Sequence, residues 1–307
     1  MVELITDAYP DSTALAAALS AETRENENQV TSVKRLVLLD GANFATGAEV
    51  DKLLQPYCAT DSAPINLYDD FEGLALAESG PRLAEVRGDD ECSRFLAELA
   101  FEGRGLSVLS SSSSMGPLLD HLRKLREIQL PDRSTALFRY QDAQVVTGLI
   151  PLLNLAQRAF FLGPLTSWWA IDSCGTTHRL TASRGQRHRG SLRLRQEQVA
   201  RLDEHLFPHV VANQANETDA SILAGLRPCA VYRLLSARIA LAKSLGLERQ
   251  SDVSLFCVLS LQLPEGFERK PPFAAALAGA ANKVDGFGAL LDRVTSAEWD
   301  AWDRENT

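Results

Sequence analysis

Apolar residues along this chain follow two different rhythms, and the change between them divides it. In the first half, short unbroken apolar runs alternate with stretches where apolar residues return every three or four positions. Leu36-Val37-Leu38-Leu39, stopped by Asp40-Gly41, predicts a central strand buried on both faces. Further strands are predicted at residues 65–68, 83–86, 105–109 and 135–140. Helical spacing starts at Asp11 or Ser12, recurs around Val50, and follows Asp89-Asp90. It returns at Leu118, Leu122 and Leu125, a stripe that leaves His121, Arg123, Lys124 and Arg126 facing outward. Asp142 is placed to cap a helix over 145–161, which Gly163-Pro164 stops.

Beyond Trp168-Trp169 the pattern turns polar and basic over residues 171–193, as in an exposed hairpin or linker. Helical patterns then cover 194–211, 222–245 and 253–263, with Asp252 as a cap for the last. Thr295-Ser296-Ala297-Glu298 has capping-box spacing ahead of a helix carrying Trp299 and Trp302. The expected fold is an α/β N-terminal lobe, a mixed or parallel sheet flanked by helices, with a mainly α-helical C-terminal lobe. The expected divisions are 1–172, a basic hairpin or linker at 173–193, and a helical lobe at 194–307.

The 307 residues are 45% hydrophobic, enough for a sizeable core, and no apolar stretch is long enough to span a bilayer. A formal charge of -9 disfavours general nucleic-acid binding, which needs a net basic face. The five cysteines are scattered without a Cys-x-x-Cys pair, and the first residues lack the basic and apolar regions of a signal peptide. Together these favour a cytoplasmic protein.

Candidate chemistry is sparse. Asp40, ending a buried strand as Asp-Gly-x-Asn, resembles the opening of a metal-dependent nuclease domain, with Asp69, Asp70 and Asp142 as further carboxylates. The plainer reading has Asp40 hydrogen-bonding the following turn and Asp142 capping a helix. Ser110 to Ser114 could cradle an anion but lacks the glycines and lysine of a phosphate loop. His205 and His209 have metal-ligand spacing, yet Pro208 lies between them. The arginines from Arg179 to Arg195, Arg184 and Arg187 among them, form either a solvated hairpin or a contact for an acidic partner. Adjacent Trp168 and Trp169 on a strand would send one ring to each face. Arg139 with Asp142 reads as an ion pair or a partner contact. No residue set calls for a metal or a cofactor.

Five pieces stand in order: Val37-Leu38-Leu39-Asp40-Gly41-Ala42, Gly80-Pro81-Arg82-Leu83, His121-Leu122-Arg123, Phe138-Arg139-Tyr140-Gln141-Asp142-Ala143 and Phe160-Phe161-Leu162-Gly163-Pro164. Over about residues 34–170 this set resembles the effector-adaptor (effector-chaperone) family of bacterial type VI secretion. One departure is Ala143, where the family commonly has proline after the aspartate. The resemblance implies a non-enzymatic cytoplasmic protein that binds a secreted effector. It would help load that toxin onto the VgrG spike, with or without a PAAR-type tip protein, without binding nucleic acid or inserting in a membrane. Partner-binding or lobe-organising candidates are Asp40, His121, Arg123, Arg139, Tyr140, Asp142, Trp168 and Trp169.

Overall fold

The computed structural model describes residues 2–27, 33–59, 62–71, 75–182 and 190–306. The chain divides into two compact units, Met1–Leu206 and Phe207–Thr307.

Unit 1 is built on ten strands: β1 (Val2–Ala8), β2 (Lys34–Leu39), β3 (Ile65–Asn66), β4 (Arg82–Glu85), β5 (Leu106–Ser111), β6 (Glu127–Gln129), β7 (Thr135–Leu137), β8 (Ser167–Ile171), β9 (Thr176–Ala182) and β10 (Leu192–Arg193). Seven form one sheet in the order β1-β9-β8-β5-β2-β4-β3, and β10-β6-β7 form a small second sheet. Every pairing in the large sheet is antiparallel. The expectation of a mixed or parallel main sheet is therefore corrected. An unbroken apolar run signals burial on both faces, and an antiparallel sheet covered on both sides produces it as well as a parallel one. Among the described residues the one parallel pairing is β10 with β6.

Among the described residues seven α-helices belong wholly to unit 1: α1 (Ser12–Glu27), α2 (Gly47–Leu54), α3 (Ala75–Glu78), α4 (Asp90–Phe101), α5 (Met115–Leu125), α6 (Ala143–Leu149) and α7 (Leu155–Leu162). Leu36 and Leu38 of β2 face a core shared with α5, α6 and α7. Val37 and Leu39 face the opposite core, shared with α1, α2 and α4. The tryptophan pair splits the same way, Trp168 into the first core and Trp169 into the second, and both are buried. The period-two geometry of a strand is the cause.

Two local expectations change. The strand at 135–140 ends at Leu137, so Phe138 to Asp142 is a turn that leads into α6. The single helix at 145–161 is two, because Pro151 removes a backbone donor and Asn154 with Gln157 closes a new capping box for α7.

The long helix α8 (Gln196–Thr218) runs on through Pro208, and the boundary between the units falls within its span, not in the polar stretch 173–193. That stretch begins as β9, a mostly polar, partly buried strand paired with β1 and β8. Arg184, Gly185, Arg187 and Arg189 lie outside the described residues.

Unit 2 is helical: α9 (Pro228–Ser244), α10 (Gln250–Gln262), α11 (Phe273–Ala281), α12 (Phe287–Leu291) and α13 (Ser296–Asn306). Its core gathers Leu235, Phe256, Phe267, Phe273, Phe287 and Trp302. Thr295 and Glu298 form the reciprocal bonds expected at the start of α13. Asp252 does not cap α10. It is buried inside the helix and accepts the Phe287 amide at 2.9 Å, tying α10 to α12.

Candidate docking surface

Asp40 stands where β2 leaves the sheet, with its side chain 1% exposed. One carboxylate oxygen accepts the Ala42 amide at 3.2 Å, turning the chain into the short 3-10 segment Gly41–Asn43. The other accepts a guanidinium N–H of Arg139 at 2.6 Å. Arg139 comes from the turn before α6, is about half exposed, and lies 3.6 Å from Asp142. Asp142 caps α6 by accepting the Gln144 amide at 3.0 Å. Both sequence readings of these residues are thus present together, a turn and a cap joined through one arginine.

Burial works against the Arg139 charge, but Asp40 and Asp142 outweigh it and raise its pKa. Burial also lifts the Asp142 carboxyl above the ordinary carboxylate value, against the pull of Arg139. A carboxyl raised in the folded state contributes stability that is complete below its unfolded value, and that stability is lost as pH climbs through the folded value. Asp142→Asn keeps an acceptor for the cap and removes this loss. The expected outcome, read by hydrogen exchange on α6, is equal or higher protection at neutral pH and a shallower decline above about pH 4. Lower protection of α6 would contradict the reading.

The five sequence pieces meet around this point. A Cβ on Gly41 would lie 2.3 Å from the Gly80 carbonyl oxygen, so the missing side chain at Gly41 lets the first and second pieces touch. Arg82 then donates to the Gly80 carbonyl and to Asp51. His121, buried on α5, bonds the Phe161 carbonyl at 3.0 Å near the end of α7. Gly163, at φ 56°, leaves room for that imidazole, since a Cβ there would sit 2.3 Å from the ring. Phe138 and Tyr140 close the set, packing on Phe161 and Trp168 respectively, each at 6.3 Å between ring centres. His121 and Tyr140 are consequently buried within the lobe. The sequence reading of His121 as an outward residue is corrected.

The exposed edge of this cluster is ionic. Arg123 makes two bonds to Asp69 at 3.0 and 3.1 Å, and Arg126 makes an end-on, two-bond pair with Asp70 at 2.5 and 2.8 Å. The bonds to Asp70 raise the Arg126 pKa against burial. Arg126 also lies over the rings of Phe71 and Tyr68. Tyr68 reaches Gln141 at 3.5 Å. The Tyr140 hydroxyl is buried with no hydrogen-bond partner among the described residues, and burial drives its pKa up.

Asp69 and Asp70 thus hold arginines and do not join Asp40. Among the described residues no group of three or more His, Cys, Asp or Glu is placed to hold a metal ion. The other candidates are engaged locally. Ser111 and Ser113 donate to the Pro164 carbonyl. The His205 ring packs against Gly148, and His209 stacks on Tyr232. Arg179 lies over the Trp169 ring at 4.7 Å.

Sequence reasoning missed Arg126, Tyr68 and Gln141. The available signal was Arg126 standing three residues after Arg123, one turn along the same helix face. No helix among the described residues is long and apolar enough to cross a membrane. No curated protein and no solved structure matches the chain. Residues 37–159, less than half of the chain but the stretch from β2 through most of α7, match the family described as "Domain of unknown function (DUF4123)".

Proposed function

We propose that this protein is a cytoplasmic adaptor of type VI secretion. It binds a secreted effector and helps load that toxin onto the VgrG spike, with or without a PAAR-type tip protein. The observation that carries this reading is the family match over 37–159, which spans the stretch where four of the five adaptor-like pieces lie and stops just before the fifth. The same pieces lock together around Asp40, Arg139 and His121. They build a scaffold whose polar groups bond mainly to one another, and that supports docking over turnover. Arg139, about half exposed, and Arg123, about one-third exposed, are arginines a partner would meet on this surface.

Binding needs no cofactor in this reading, and specific binding would cover about 1,000 Å² or more. The test is co-expression with a candidate type VI secretion effector, followed by affinity recovery. Arg139→Ala and Arg123→Ala are each expected to lower effector recovery about tenfold, the effect of losing an arginine anchor. A neutral control, Arg201→Ala, removes only an exposed helix pair with Glu197 and should leave recovery intact. Unchanged recovery with both test variants would take this surface out of the account.

A further inference from the structure

Strand β1 lies at the end of the large sheet, and among the described residues only β9 pairs with it. The ladder shows which of its backbone groups are spent. Ala182 donates to Thr166 and Thr176 accepts from Asp172, so even-numbered residues of β9 bond towards β8. Odd-numbered residues of β9 bond towards β1, as Gly175 does with Tyr9. Their partners in register are Glu3, Ile5 and Asp7. In an antiparallel ladder the alternate residues, Val2, Leu4, Thr6 and Ala8, then direct their N–H and C=O groups outward. Proline, a bulge or a lysine commonly blunts such an edge, and β1 has none of them. The opposite edge of the sheet, β3, is only two residues long.

We infer that β1 is a strand-addition site for an extended cationic segment of the cargo. The side chains select the occupant. Glu3, Ile5 and Asp7 share one face of the strand, and both acids are exposed. Full-length pairing with a second copy, centred on Ile5, would set Glu3 opposite the second copy's Asp7, a destabilising like-charge pair. A foreign strand with lysine or arginine four positions apart around a β-branched residue meets Glu3, Ile5 and Asp7 with complementary groups. The backbone bonds would supply affinity and the charges the register. The adaptor reading names only the owner of that strand, so the edge is tested with peptides.

The probe is the capped peptide Thr-Lys-Thr-Val-Thr-Lys-Thr, added to the isotope-labelled full chain and followed by amide exchange. The Leu4 and Thr6 amides are expected to exchange about tenfold more slowly with peptide bound, as hydrogen-bonded strand amides do. The Glu3 and Ile5 amides, already bonded to β9, should keep their rates. Thr6→Pro removes one outward donor and should abolish the response, whereas Thr6→Val retains the donor and should preserve it. Unfolding by Thr6→Pro would show as lost protection in β9, and the wild-type amides still decide. An equal response to the glutamate-for-lysine peptide, no change at Leu4 and Thr6, or concentration-dependent dimerisation would each overturn the inference. Effector recovery by the wild-type chain is a separate result, so failure of one leaves the other standing.

Discussion

Trp168→Ala is expected to destabilise unit 1 by about 3–5 kcal/mol, the range for emptying the site of a large buried aromatic. The indole is fully buried, 4.5 Å from the Phe161 ring and 6.3 Å from Tyr140, and its N–H donates to Ser107 at 3.1 Å. It thus links β8 to β5, α7 and the turn before α6. Truncation leaves a cavity where the fourth and fifth pieces meet. Trp168→Phe keeps most of the ring and loses the bond to Ser107, for about 1 kcal/mol plus the smaller ring's packing deficit. Because the chain has two units, a single global midpoint is not the right measure. Hydrogen exchange resolved on β5 and β8 is. Protection there should collapse for alanine and largely persist for phenylalanine, while α9 and α10 of unit 2 keep theirs. Unchanged exchange on β5 and β8 in Trp168→Ala would remove Trp168 from its organising role.

Gly163→Ala should cost about 2–6 kcal/mol from two sources. A backbone at φ 56° and ψ -123° costs a non-glycine residue roughly 1–3 kcal/mol. Overpacking adds about 1–3 kcal/mol, because the methyl would meet an imidazole that its bond to Phe161 holds in place. The two parts separate in a double-mutant cycle. With His121→Ala already present, the methyl gains room and only the backbone part remains. Additive losses in the cycle would show that the imidazole and Gly163 do not interact. Recovery of part of the loss would confirm the contact that joins the third and fifth pieces.

The elements themselves were largely legible. The apolar run at β2, the caps at Asp89, Asp142 and Thr295, and the helical stripes of α4 and α5 all follow from local chemistry. Strand direction was not legible, because burial on both faces is common to parallel and covered antiparallel sheets. Strand β1 was missed as well. Its alternation is incomplete, and its partner β9 lies more than 160 residues away, as the pair Thr6 and His178 shows. At the candidate surface, Asp40 and Arg139 were each visible, but 99 positions separate them and no local pattern announces their 2.6 Å contact. The position of His121 was misread for a related reason. Its helix is amphipathic, yet the place that would be outward is covered by the end of α7.

The central claim is that this fold presents a docking surface and that Asp40 serves architecture. Size-exclusion chromatography with light scattering tests it most directly, on the purified chain mixed with the candidate effector and VgrG. The account predicts co-elution at the mass of a complex containing the chain and the toxin. Separate elution of the chain as a free species, at concentrations well above those of a specific complex, would contradict it.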